Sequence, residues 1–175
     1  MRFTPTAIAG VVVVDQDPIA DERGAFSRTY CKDSFAEAGL AFQPVQESLS
    51  SNKARYTLRG LHYQAAPAEE QKLVRCVRGA VFDVAVDLRR DSDTRSRWFG
   101  LELSAENGRA LFVPRGVAHG FLTLGDDAEV FYLIDTPYAP GQARGVRWDS
   151  PVFGIAWPHA PAVISQRDAQ WPDHA

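Results

Sequence analysis

Cysteine is scarce: the chain has two, Cys31 and Cys76, in unrelated contexts and without C-x-x-C spacing. That excludes a disulfide-stapled secreted scaffold and reads as a reduced, cytoplasmic protein with two buried or incidental thiols. Long apolar runs are missing. The stretch Gly10 to Val14 is too short to cross a bilayer and stops at Asp15, and Met1-Arg2-Phe3-Thr4-Pro5 lacks a signal-peptide core. No basic block is present and the net charge is -3, which argues against nucleic acid or a membrane surface as partner, since both need clustered Lys and Arg. There is no internal repeat and no low-complexity segment. Strands do not alternate with long helices, which excludes a parallel α/β sheet; Lys32 to Leu40 is the one helical pattern of any length in the first half, with Phe35, Ala36 and Leu40 on one face and Asp33 or Ser34 as caps.

What remains is a β-rich chain of 175 residues, 45% hydrophobic, read as one domain over 1–175. Strand patterns cover 8–14, 25–30, 45–51, 58–64, 72–77, 80–88, 98–103, 109–113, 118–124 and 128–134. Turns rich in Gly, Asp, Asn and Pro separate them, among them Asp21-Glu22-Arg23-Gly24, Asn107-Gly108 and Gly125-Asp126-Asp127. Short strands at this spacing predict an all-β sandwich or barrel. From Pro137 onward Pro and Trp rise, with Trp148, Trp157 and Trp171 still to be buried, so this part reads as an irregular tail wrapped on the barrel.

The polar residues concentrate in Leu58-Arg59-Gly60-Leu61-His62-Tyr63-Gln64. On a strand, Gly60, His62 and Gln64 share a face; Gly60 lets a ligand or another backbone approach closely. Of the four histidines, His159 and His174 fall in the tail, while His62 and His119 lie on predicted strands beside glycine. Metal-binding jelly rolls of the cupin kind carry His-x-His on one strand pair and Pro-x-Gly-x-x-His on the next. Pro114-Arg115-Gly116-Val117-Ala118-His119 fits the second pattern, but His62-Tyr63-Gln64 has an amide where the second imidazole belongs, so the reading is metal-free. Without a metal His62 is suited to act as a base near neutral pH. Asp83, Asp87 and Asp168 are the carboxylates that could fix its tautomer. Tyr132 could serve as an acid, and Lys72 and Arg59 could stabilise an oxyanion or hold phosphate.

These blocks, together with Lys72-Leu73-Val74-Arg75, Phe82 to Arg89, Leu103 to Asn107, Arg147-Trp148-Asp149 and Gly154-Ile155-x-Trp157-Pro158, resemble in order the dTDP-4-dehydrorhamnose 3,5-epimerase family. The resemblance implies a cupin-like jelly-roll barrel and a homodimer. It also implies cofactor-free epimerisation of a nucleotide-linked 4-keto-6-deoxyhexose at C3, C5 or both, through an enolate. On that resemblance His62 is the base, Asp168 orients it, Tyr132 is the acid and Lys72 stabilises the enolate oxygen. His119 and Arg59 contact the substrate. Arg23, Arg28, Gln46, Glu47, Ser48 and Arg167 fall at substrate-binding positions, and Tyr138 stacks on the base.

The chain also departs from the family pattern. Arg28 and Ala143 stand where the family's best-known members carry acids, Glu47-Ser48 replaces Asp-Asn, and Leu133 follows Tyr132 in place of Lys. These changes lie at the nucleotide or sugar end, so they bear on the substrate more than on the reaction class. The rival classes are a non-catalytic sugar-nucleotide-binding cupin and a 3,4-ketoisomerase acting on the same 4-keto sugars.

Overall fold

A computed structural model describes residues 1–173. Its strands are β1 (Arg2–Pro5), β2 (Val12–Asp15), β3 (Ile19–Asp21), β4 (Gly24–Phe26), β5 (Gln46–Asn52), β6 (Thr57–Gln64), β7 (Lys72–Arg78), β8 (Ala80–Asp87), β9 (Trp98–Ser104), β10 (Ala110–Val113), β11 (Val117–Thr123), β12 (Ala128–Ile134), β13 (Ala143–Gly145) and β14 (Val163–Ile164). Two short α-helices, α1 (Lys32–Glu37) and α2 (Gln166–Ala169), and one 3-10 turn at Pro140–Gln142 complete the described residues.

One sheet runs β1-β2-β10-β7-β12-β5 and the other β13-β6-β11-β8-β9, with β14 laid parallel on β6; β3 and β4 form a separate hairpin. The two large sheets stack face to face as a jelly-roll sandwich, and their strand ladders leave edges, so the expected barrel is open. Strand alternation assigns the faces. Val74, Cys76, Leu111 and Val130 from the first sheet meet Val81, Ala85, Val117 and Phe121 from the second in the central core. The first sheet's outer face, with Leu73, Phe112 and Leu133, is capped by Phe35 of α1 and by Phe42. The second sheet's outer face, with Leu61, Val84 and Val86, is covered by Val146, Phe153, Ile155 and Trp157. The tail therefore wraps the sandwich, as its aromatic content suggests.

Several boundaries differ from the sequence reading. The apolar run 8–14 is not one strand: Val11 N donates to Ile8 O across a turn (3.1 Å), and β2 begins at Val12. The pattern over 25–30 supports pairing only as far as Phe26. Helix α1 begins one residue after Cys31, which occupies the N-cap without a side-chain bond, so neither Asp33 nor Ser34 caps it, and only Phe35 of its residues is buried. Among the described residues no helix is long and apolar enough to cross a membrane.

Candidate active site

A bulge in β6 builds the centre of the site. His119 on β11 faces His62, yet Phe121, two residues on, faces Arg59, three residues back. β6 thus carries one extra residue, which resets the side-chain alternation. Arg59 and His62, three apart, both reach the inner face. Gly60 makes this possible with φ of 135°, and a Cβ there would stand 2.6 Å from Gly120 Cα and 3.2 Å from His119 O. The close approach that Gly60 permits is therefore to the neighbouring backbone, not to a ligand. Gln64 is buried; its amide accepts from Ala139 N (2.6 Å) and donates to Ala68 O (3.1 Å) and Pro137 O (3.3 Å), so it pins two loops at the rim.

Two histidine–carboxylate pairs follow. His62 Nε2 lies 2.6 Å from Asp168 Oδ1. The carboxylate also accepts from Gly60 N at Oδ2 (3.2 Å) and from the Trp171 indole at Oδ1 (3.2 Å). Burial alone would raise the Asp168 carboxyl, but these hydrogen bonds and the His62 ring hold it below the usual carboxylate range. Ser165 caps α2 by accepting from Asp168 N (3.1 Å) and so fixes the segment that delivers the carboxylate. An anionic Asp168 favours the tautomer with hydrogen on Nε2, leaving Nδ1 with the lone pair a base needs. The second pair is His119 Nε2 and Asp83 Oδ2 at 2.8 Å, both buried. Burial pushes the Asp83 carboxyl up against the pull of His119 and Lys72, and its Oδ1 is buried without a hydrogen bond.

His62, Lys72, Ser48 and Ile134 form a shared wall between two adjoining cavities. The outer one, about 460 Å³, adds Gln46, Gln64, Tyr138, Ala143, Arg144 and Arg167. The inner one, about 260 Å³, adds Ser50, Arg59, His119, Phe121 and Tyr132. Lys72 Nζ is held 2.8 Å from Glu70 Oε1 and 3.5 Å from His62 O. Tyr132 sits edge-on to the His119 ring, with centroids 5.9 Å apart. Burial, and then the Asp83 charge, push its phenol well above the ordinary value, with Arg59 opposing. This group keeps its proton throughout the neutral range.

The structure therefore gathers His62, Lys72, Tyr132, Asp168, Arg59, His119, Gln46, Ser48, Tyr138 and Arg167 around one bipartite cavity. Three expected substrate-binding residues stand apart. Glu47 alternates with Gln46 and Ser48 and lies on the opposite face of edge strand β5. Arg23, at the tip of the β3–β4 hairpin, is paired with Asp21, and Arg28 lies beside Cys31. Of the carboxylates considered for His62, Asp87 is committed elsewhere, to Arg89, Ser92 and Thr94, and Asp83 serves His119. His159 stacks on Tyr56 with centroids 4.3 Å apart, and His174 lies outside the described residues. No group of three or more His, Cys, Asp or Glu among the described residues is arranged to hold a metal ion.

Against known proteins, a family model described as dTDP-4-dehydrorhamnose 3,5-epimerase matches residues 5–175. The chain belongs to this epimerase family. It is 43% identical over 173 residues to a dTDP-4-dehydrorhamnose 3,5-epimerase of Methanothermobacter thermautotrophicus, covering 97% of this chain and 92% of that one. A Bacillus anthracis dTDP-4-dehydrorhamnose 3,5-epimerase solved with TDP and pyrophosphate bound superposes with a TM-score of 0.95 at 36% identity, covering 99% of each chain. A Streptomyces bikiniensis 3'-monoepimerase in complex with dTDP-quinovose gives 0.90 at 35% identity, covering 97% of this chain and 86% of that one. The protein is thus an enzyme, an isomerase of nucleotide-linked sugars.

In this epimerase three partners escaped the sequence reading. Glu70 precedes Lys72 by two residues, so both side chains emerge on one side where β7 begins; that spacing was the available signal. The His119–Asp83 pair could be read from β8 alternation only with the β8–β11 register, which sets Phe121 opposite Asp83. Trp171 comes from the tail and left no local signal. Of the two positions where the sequence reading expected a departure from the family pattern, Ala143 lines the outer cavity while Arg28 does not.

Proposed function

We propose that the protein converts dTDP-4-dehydro-6-deoxy-D-glucose to dTDP-4-dehydro-L-rhamnose by inverting C5 and C3. The C4 ketone acidifies the hydrogens on both neighbouring carbons. His62 Nδ1 removes one, and the electron pair moves onto O4 as an enolate. Lys72 stabilises that oxygen, and Tyr132 returns a proton to the opposite face. Asp168 holds the His62 tautomer and stabilises the imidazolium that forms. His119, backed by Asp83, and Arg59 bind the sugar and its diphosphate. Arg167, Gln46 and Ser48 hold the nucleotide end, and Tyr138 stacks on the base. No metal or cofactor takes part in this scheme.

The observation that carries the reading is a base with its carboxylate at 2.6 Å, a protonated phenol and an ammonium on the walls of one cavity. The cations of that cavity, Arg59, Lys72, Arg144 and Arg167, face one lining acid, Glu70, a balance suited to a diphosphate.

The working unit we propose is a cytoplasmic homodimer. Ile19 and Phe26 on the β3–β4 hairpin are each 75% exposed, and Val45 just before edge strand β5 and Leu49 on it are also bare. Covering them with a second copy buries this apolar surface and carries Arg23 into the neighbour's cavity. A second reading, inversion of C3 alone, is favoured by Ala143 in the cavity wall and by the resemblance to a 3'-monoepimerase.

Incubating the enzyme with dTDP-4-dehydro-6-deoxy-D-glucose and resolving the product by NMR separates these. The L-rhamno configuration supports double inversion, a C3-inverted D-sugar supports the second reading, and unchanged substrate overturns both.

A further inference from the structure

The base is delivered by two segments remote in sequence, β6 and the C-terminal strap, and the strap has a further member. Trp171 follows α2 by two residues and turns its indole back under the pair. Its Nε1–H donates to Asp168 Oδ1 at 3.2 Å, the same oxygen that bonds His62 Nε2. Its ring meets the His62 ring edge-on at 6.3 Å and 72°. The Arg167 guanidinium lies over it, 4.9 Å from the centroid. On the remaining side it packs on Gly145, the β13 residue opposite His62, where any Cβ would overlap the indole. The strand is thus bare of side chain at the one place the ring occupies. Beyond Trp171 the chain is fastened to the same sheet extension: Arg147 N donates to Pro172 O (3.2 Å), and Arg147 pairs with Asp173. Trp171 does not line either cavity.

We infer that Trp171 is a positioning residue of the base, holding the Asp168 carboxylate in line with His62 and sharing its charge through the indole N–H. A carboxylate oxygen that serves two donors is less free to rotate and less basic toward either. The inference rests on His62 acting as the base. The other charged groups around His62 are Arg167 from α2, Lys72 from β7 with its partner Glu70, Arg59 from β6, Arg144 from β13, and the His119–Asp83 pair from β11 and β8.

The test is Trp171→Phe, which keeps a ring on Gly145 and removes the N–H. The plateau of kcat should fall about 3- to 10-fold, with KM changed less than about twofold because the indole is outside the cavity. Freed of its second donor, Asp168 holds the proton on His62 more tightly, so the acid limb of kcat/KM should move up by about half a pH unit. An acid limb unmoved in a folded Trp171→Phe protein overturns the inference, whatever the rate.

The unaltered protein supplies a second measurement. With the indole nitrogens labelled with 15N, one of the four Trp Nε1–H resonances should titrate with the acid limb and lose that response in His62→Ala. Four flat resonances overturn the inference. Running His62→Ala in the activity assay keeps the two claims apart. If it still turns over, the base assignment fails and takes the inference with it; if it is inactive while Trp171→Phe behaves as wild type, only the role of Trp171 falls.

Discussion

Replacing Asp168 by Asn removes one charge while keeping the shape of the side chain, and the geometry fixes what should follow. In the wild type the His62 ring stands 2.6 Å from the carboxylate, and on the proposed mechanism it becomes an imidazolium on proton abstraction. A pair at close range is worth about 4 kcal/mol at an effective dielectric near 20. Because 42% of the His62 side chain is exposed, solvent screening brings this to about 2–3 kcal/mol. At ~1.4 kcal/mol per decade, kcat should fall roughly 30- to 150-fold. The acid limb should move to lower pH, because the imidazolium has lost its counter-charge.

The same substitution also disturbs folding. Three donors, His62, Trp171 and Gly60 N, converge on two oxygens, and Asn offers only one, so one donor confronts the amide NH2. Stability should drop by about 1–3 kcal/mol, measurable by urea unfolding. The kinetic assay is initial rate against pH, run well below the melting temperature. An Asp168→Asn enzyme folded at the assay temperature, within threefold of wild type and with an unmoved acid limb, would refute the role given to the pair.

Tyr132→Phe should abolish net inversion yet retain measurable deuterium uptake from D2O, since abstraction and reprotonation are separate steps; loss of uptake as complete as in His62→Ala contradicts that division. Because the Tyr132 phenol is held above its ordinary value, activity should not decline from its ionisation below about pH 10, and a descending limb near pH 8 that vanishes in Tyr132→Phe would contradict the environment described. Asp87→Asn should cost about 2–3 kcal/mol of stability at pH 7 with activity intact, because its carboxylate gathers Arg89, Ser92 and Thr94. Its carboxyl is held well below the usual range by those bonds despite burial, so this stability is full above about pH 4 and fades as pH falls further, and the difference from wild type should narrow in acid; a constant difference down to pH 2 contradicts it. Phe26→Asp should shift the protein from dimer to monomer in analytical ultracentrifugation and raise KM; a dimer that persists with wild-type KM contradicts the proposed hairpin exchange.

The strands that carry the site were legible because their alternation is strong. β6, β8 and β12 fall within two residues of their expected bounds, and Lys72 opens β7 as read. What alternation could not supply is phase. A glycine inside a strand signals that a bulge can form, but only the pairing of His119 with His62 and of Phe121 with Arg59 fixes where the extra residue goes. Short elements escaped for a different reason. β1, β3 and α2 have four residues or fewer, and too few apolar positions repeat in them to set a period. The partner of His62 lies 106 residues away, so no spacing rule reaches it; of Asp83, Asp87 and Asp168 the resemblance alone favoured the last. Trp171 and Glu70 are bonded to the side chains of Asp168 and Lys72, and composition records nothing of that.

The central claim is that His62 moves a carbon-bound proton of a dTDP-4-keto-6-deoxyhexose. The direct measurement is NMR of the sugar after incubation in D2O with chelator-treated enzyme. The account predicts deuterium at C3 and C5 with the wild type and none with His62→Ala. Equal labelling by the two proteins, or labelling that requires added metal, would contradict it.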